Sequence, residues 1–217
     1  MTDHAVSRRM MVDSQVRPSD VTKYPIIEAM LAVPRERFVP DTARATAYMD
    51  DNIPLAPGRT VLAPRTLAKL LDALDIRRDE LVLDLGCGLG YSTAVIARLA
   101  EAVVAVEEDA SLAEDAQAQL AEDGADNAAV VVAPLAEGAA KHGPYDVIVI
   151  QGAIETLPEA LAGQLKDGGR IGCLVAQGNL GQARIAVKAD GVLSWRWIFD
   201  ASAPVLPGLA RARDFVL

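Results

Sequence analysis

From Leu81 onward the chain changes its hydrophobic period in a way that few folds accommodate. Short apolar runs alternate with helical ones: "LVLDL", "STAVIARLA", "AVVAVEE", "SLAEDAQAQLAEDG", "NAAVVVA", "YDVIVI", "LPEALAGQLKDGG" and "RIGCLVAQ". Brief β-rich runs separated by helix-length segments are β-α-β units. They build a doubly wound, mostly parallel α/β sheet with helices on both faces, here expected to hold seven strands. "ARIAVKAD" and "LSWRWIFDA" leave no room for a helix between them and read as a closing hairpin at the sheet edge. Residues 1–75 follow another rule, of helices broken by Pro and Gly. Ser7 to Val16 reads as one helix, Asp20 as a helix-start signal, and Pro25 as a first-turn proline of "YPIIEAMLA". "VPRERFVP" and "APGRTVLAPR" read as connections, and "TLAKLLDAL" puts Leu67, Leu70, Leu71 and Leu74 on one helical face. The expected division is a helical extension over 1–75 packed on a ligand-binding domain over 76–217.

A length of 217 residues suits one domain with such an extension. Lys plus Arg total 21 and Asp plus Glu total 30, a net charge of −9. A binder of phosphate backbones carries a basic face, so nucleic acid is not an expected partner. Arg8-Arg9 and Arg211 to Arg213 are short and read as solvated ends. "MTDHAVSRRMMVDSQVRP" holds no apolar core of a signal peptide. No apolar run approaches the roughly 20 residues that span a bilayer. A soluble, cytoplasmic protein is expected, with no membrane partner. Cys87 and Cys173 are expected to stay reduced there. His4 and His142 stand far apart and no Cys/His cluster has metal-ligand spacing, so no metal is expected.

Strand, glycine turn, helix is a nucleotide-binding order, because glycines let backbone approach a ligand and the helix start presents free N–H groups. The turn reads Gly86-Cys87-Gly88-Leu89-Gly90-Tyr91. A dinucleotide fingerprint needs Gly or Ala where Tyr91 stands, and a P-loop needs Gly-Lys-Ser/Thr. Neither is present. An acid, Glu107, ends the next apolar run 21 residues after Gly86, with Glu108 one residue further. This pattern resembles S-adenosylmethionine-dependent methyltransferases. The resemblance implies that Asp84, Gly86, Cys87, Gly88, Gly90 and Tyr91 face the cofactor. It implies that Glu107, or more weakly Glu108, accepts the ribose hydroxyls.

The first third narrows the family. Met11, Val12, Gln15, Arg17, then Ala29, Met30, Val33, Pro34, Arg35, Glu36, Phe38, Val39 and Pro40 resemble the opening of the protein-L-isoaspartate O-methyltransferases. Ala47, Tyr48, Asp50 and Pro54 match a second family segment, and the likeness runs to about Val187. Independently of the family, Val33-Pro34 and Val39-Pro40 read as an extended connection. Phe38 and Tyr48 read as core, and Arg35 and Glu36 as partners of the domain behind them. The resemblance implies that residues 1–75 form the substrate side and that the loop Val61, Leu62, Ala63, Pro64 and Arg65, with Gln151, meets the substrate. It implies S-adenosylmethionine as methyl donor, with S-adenosylhomocysteine as product, and damaged aspartyl carboxylates as acceptor, a protein-repair activity.

Three departures stand out. Leu62 occupies the place of the family's loop serine, Pro134 that of an aspartate near the adenine, and Gln151-Gly152-Ala153 that of T-A-A. The adenine is then expected against apolar and backbone groups of Leu135 and Ala136. With Leu62 in place of serine the catalytic residue is open, and Arg65 is a candidate for orienting a carboxylate. Three readings follow: the family's isoaspartyl methyl transfer to peptides or proteins, the same chemistry on another acceptor such as a small molecule, or a weak cofactor binder acting as an interaction module. Monomer or weak homodimer is expected. The C-terminal "APVLPGLARARDFVL" reads as a last strand or an interface.

Overall fold

The computed structural model describes residues 3–178 and 180–211. The chain opens with α1 (His4–Met11), started by Asp3, whose carboxylate accepts from the Ala5 and Val6 N–H groups at 3.0 and 3.2 Å. The helix therefore begins three residues before Ser7, and its continuation over Val12–Val16 widens into a π turn. Asp20 starts no helix: at φ 66° it closes the preceding short turn in the left-handed region. Lys23 is the residue ahead of α2 (Tyr24–Ala32), which carries Pro25 in its first turn. A hairpin follows, β1 (Ile53–Ala56) and β2 (Arg59–Val61), turned by Pro57-Gly58. Pro64 opens α3 (Pro64–Leu74), whose Leu67, Leu70, Leu71 and Leu74 are buried as their spacing predicts.

The sheet then alternates β3 (Leu81–Leu85), α4 (Tyr91–Ala97), β4 (Ala102–Glu107), α5 (Ala110–Asp123) and β5 (Ala128–Val132). It continues with β6 (Tyr145–Ile154), α6 (Glu159–Gly163), β7 (Leu165–Gln177), β8 (Leu180–Ala189) and β9 (Val192–Asp200). The seven strands lie in the order β5-β4-β3-β6-β7-β8-β9. The first four pairings are parallel, and β8 and β9 add the expected antiparallel hairpin at the edge. The helix read over "LPEALAGQLKDGG" is cut to five residues. Gln164 is taken up as a tertiary clamp, accepting from the Ala139 N–H and donating to the Glu137 carbonyl, and Leu165 already pairs with Tyr145.

Alternation along the central strands buries both faces. Val82, Val147 and Val149 join a core with Met11, Val12, Ile27, Met30, Phe38 and Leu71 from the first 75 residues. Leu83, Leu85, Ile148 and Ile150 point into a second core, completed by Leu161, Leu206 and Leu209. The order reverses between β3 and β6, so the crevice beyond their carboxyl ends is the switch point where ligands of open α/β sheets bind.

Candidate functional site

At that crevice the chain leaves β3 through Gly86, Gly88 and Gly90, at φ 80°, 57° and 92°. A side chain is strained in this region, so glycine there follows from the turn itself. Gly90 leads into α4, and the Ala94 N–H returns to the Gly90 carbonyl at 2.9 Å.

Glu107, fully buried at the end of β4, faces this turn. Its Oε2 accepts from the Gly88 N–H at 2.8 Å, and its Oε1 from the Glu108 and Asp109 N–H groups at 3.0 and 3.3 Å. Both oxygens are also bound by Arg59 of the β1–β2 hairpin: Nε reaches Oε1 at 3.2 Å and Nη2 pairs with Oε2. Arg59 is itself only 3% exposed. A Cβ built on Gly86 would stand 3.1 Å from both Arg59 Nη atoms and 3.3 Å from Leu206 Cδ1. One on Gly88 would collide with Leu55 Cδ1. The Glu107 carboxylate, expected to accept the ribose hydroxyls, is held by a guanidinium in this arrangement. Glu108 is exposed, and its Oε2 accepts from the Leu135 N–H at 3.4 Å. Leu135 is buried, and Ala136 packs beside Gly208 of the C-terminal segment.

Asp84, in β3 two residues before Gly86, is buried under three donors. Ser92 Oγ and Thr93 Oγ1 donate to Oδ2 at 2.7 and 2.6 Å, and Gln151 Nε2 donates to Oδ1 at 2.7 Å. Burial pushes its pKa up, against these donors and the nearby Arg59. Gln151, expected to meet substrate, gives its Nε2 to Asp84 and also lines the void beneath the loop after β2. Burial also pushes the Cys87 thiol well above its usual range, so it is no thiolate nucleophile.

The loop after β2 lies directly over the turn. Thr60, Val61, Leu62 and Leu67 enclose a void of about 10 Å³ with Cys87, Tyr91, Ser92 and Gln151. Leu62 is 2% exposed, and its carbonyl accepts from Arg35 Nη2 at 2.8 Å. Arg35 is wholly buried, donates from Nε to the Ala47 carbonyl at 2.7 Å, and lies 4.6 Å from the Tyr91 ring centroid. It thus does reach the domain behind it, whereas Glu36 turns back to Arg8 and Tyr48 within the extension. Phe38 is buried as expected, and Tyr48 only partly. Ala63 and Pro64 are buried at the start of α3. Arg65 is turned outward, paired with Asp50, into an open cavity of about 430 Å³ that Lys69 and Asp200 also line.

The family model described as Protein-L-isoaspartate(D-aspartate) O-methyltransferase (PCMT) matches residues 7–196. The chain belongs to the protein-L-isoaspartate O-methyltransferase family. A relative of that name from Koribacter versatilis is 34% identical over 193 residues, covering 89% of this chain and 87% of its own. One from Nitrobacter winogradskyi is 32% identical over 211 residues, covering 96% and 97%. A solved protein-L-isoaspartate O-methyltransferase, 24% identical, superposes with a TM-score of 0.81 over 94% of this chain and 67% of that one. A Plasmodium falciparum beta-aspartate methyltransferase (PCMT) in complex with S-adenosyl-L-homocysteine, 18% identical, gives 0.78 over 95% and 99%. These two likenesses speak for the fold alone.

Within a protein-L-isoaspartate O-methyltransferase, the glycine turn and the buried carboxylate of Glu107 suit an adenosyl group in kind. The space before them is taken by Leu55, Arg59 and Leu206. Sequence reasoning missed these three. Arg59 stands in a segment read only as a Pro/Gly loop, and Leu206 in a tail left between strand and interface. The one legible hint was a lone arginine beside the turn glycine Gly58.

Proposed function

We propose that this chain transfers the methyl group of S-adenosylmethionine to a carboxylate of L-isoaspartyl residues in peptides or proteins. The family match over residues 7–196 carries this reading, supported by the glycine turn, Glu107 and the loop over them. We further propose that it works in the cytoplasm, as a monomer or weak homodimer; among the described residues no helix is long and apolar enough to cross a membrane.

The bound cofactor supplies an electrophilic methyl on a sulfonium. The acceptor carboxylate is already ionised at neutral pH, so no side chain has to take a proton. The chain's part is to place that carboxylate in line and keep water away. Arg35 pins the carbonyl of Leu62, which fixes the loop across the turn. Leu62 excludes water but gives the carboxylate no hydrogen bond, and Arg65, paired with Asp50, and Lys69 are the cations of the open cavity beside it that guide it.

The test is incubation with methyl-labelled cofactor and an isoaspartyl peptide beside its normal aspartyl twin. Weak labelling of the isoaspartyl peptide alone is expected. Leu62→Ser raises it by the worth of one orienting hydrogen bond, roughly 0.5–1.5 kcal/mol. Equal labelling of both peptides sinks the isoaspartyl reading. The buried Leu62 and the Arg65–Lys69 cavity favour a second reading, the same transfer to another acceptor, which wild-type labelling of other carboxylates without the peptide would support.

A further inference from the structure

The contents of the crevice are held in place by bonds of their own. Ala153 of β6 pairs with Leu174 of β7 on one side and with Val205 on the other. That other side is the one β3 fills until Leu85, opposite Ile150. The segment 203–206 therefore continues the sheet where β3 turns away, inside the switch-point crevice. The Ala153 N–H donates to the Pro204 carbonyl and the Leu206 N–H to the Ala153 carbonyl, both at 2.9 Å. The Glu155 N–H donates to the Leu209 carbonyl at 2.9 Å. These bonds drive Leu206, 1% exposed, against Gly86 and Gly152, where each glycine leaves room for it. From the opposite wall the hairpin inserts Arg59 and Leu55.

Arg59 is a side chain of an unusual kind to bury. A guanidinium is never neutral under ordinary conditions and needs an anion and several acceptors. It has one anion, Glu107, and its Nη1 finds no acceptor among the described residues. Glu107 in turn has both oxygens engaged. A ribose seeking the same carboxylate meets a fork of charge-assisted hydrogen bonds in its place.

We propose that Arg59 sets this protein's affinity for its cofactor: its guanidinium, latched on Glu107 and backed by Leu206, takes the ribose position, and the nucleoside binds only when this plug withdraws. The proposal rests on the adenosyl cofactor of the preceding section. An affinity measured on a chain that is mostly closed is weakened by the fraction that is open. Removing the latch raises that fraction without touching the ribose acceptor. The moving parts are small: a hairpin turned by Pro57-Gly58, and a segment held to residues 153–156 by four backbone hydrogen bonds.

Calorimetric titration with S-adenosylhomocysteine tests this without any turnover. The wild type is compared with Arg59→Gln, which keeps a polar side chain and loses the charged fork, and with Leu206→Ala, which thins the backing and leaves the ion pair intact. Each variant is first checked for a cooperative melt, and Leu206→Ala decides if Arg59→Gln fails to fold. The expected result is a dissociation constant at least tenfold lower in a folded variant than in the wild type. A wild type that binds as tightly as the folded variants overturns the latch and leaves the cofactor reading standing. No heat from any folded form at millimolar ligand overturns both.

Discussion

Asp84 shows how one buried carboxylate can tie a strand to the helix after it. Its oxygens take hydrogen bonds from Ser92, Thr93 and Gln151, and its pKa is nonetheless raised, because burial outweighs the donors. An acid with a raised folded pKa favours the folded state fully below its unfolded value, about 3.9. That contribution is lost as pH rises through the folded value. Asp84→Asn removes the titration while keeping the bonds: its oxygen accepts from Gln151 and its amide donates to the two hydroxyls. The variant is therefore expected to lose less stability than the wild type as pH rises from 4 to 7. At pH 7 it should lie within about 1 kcal/mol of the wild type or above it, since a neutral bonded isostere costs little. Urea midpoints at successive pH values decide; parallel curves for the two proteins contradict the burial account.

Arg35 does similar work between elements. One side chain bonds the Ala47 carbonyl in the extension and the Leu62 carbonyl between β2 and α3, and stacks on Tyr91 at the start of α4. Burial lowers its pKa against the raising influence of Tyr91, and the group stays charged at any ordinary pH. Arg35→Lys keeps the charge but has no planar fork to serve two carbonyls that lie apart. One buried acceptor is left bare, a cost of about 1–3 kcal/mol. Chemical denaturation of the variant measures this, and a loss below about 0.5 kcal/mol, the range of ordinary surface changes, speaks against the bridging role. The turnover of Arg35→Lys on any accepted carboxylate should fall as well, because the loop over the glycine turn loses its anchor.

At the scale of the whole molecule, the extension and the sheet share one core. Met11, Val12, Val16, Ile27, Met30 and Phe38 pack in the same cluster as Ala94, Val95, Val147 and Leu174. Neither part keeps its apolar face covered without the other, so we expect a single unfolding transition. Trp195 and Trp197 lie exposed on β9, the edge strand of the sheet, and report on that strand. Their fluorescence should change at the same denaturant concentration as the helical far-ultraviolet signal, the mark of a two-state process. A helical transition that precedes the tryptophan one would make 1–75 and 76–217 separable units.

The sequence by itself determined the layered architecture. Short apolar runs in "LVLDL" and "YDVIVI", a helical period in "TLAKLLDAL" and three glycines after β3 are local properties, and local properties survive into the fold. The hairpin at the sheet edge was legible for the same reason, whereas the place of the loop around Leu62 was only what the family resemblance implied. The end of α6, the partner of Glu107 and the course of the C-terminal segment were decided only by tertiary structure. Leu165 pairs with Tyr145, 20 residues away, and Arg59 meets Glu107 across 48. Val205 enters the sheet beside Ala153. No period in a chain encodes such meetings. They follow from which surfaces the packed sheet leaves open, and here the open surface was the crevice at the switch point, which the chain filled with its own side chains.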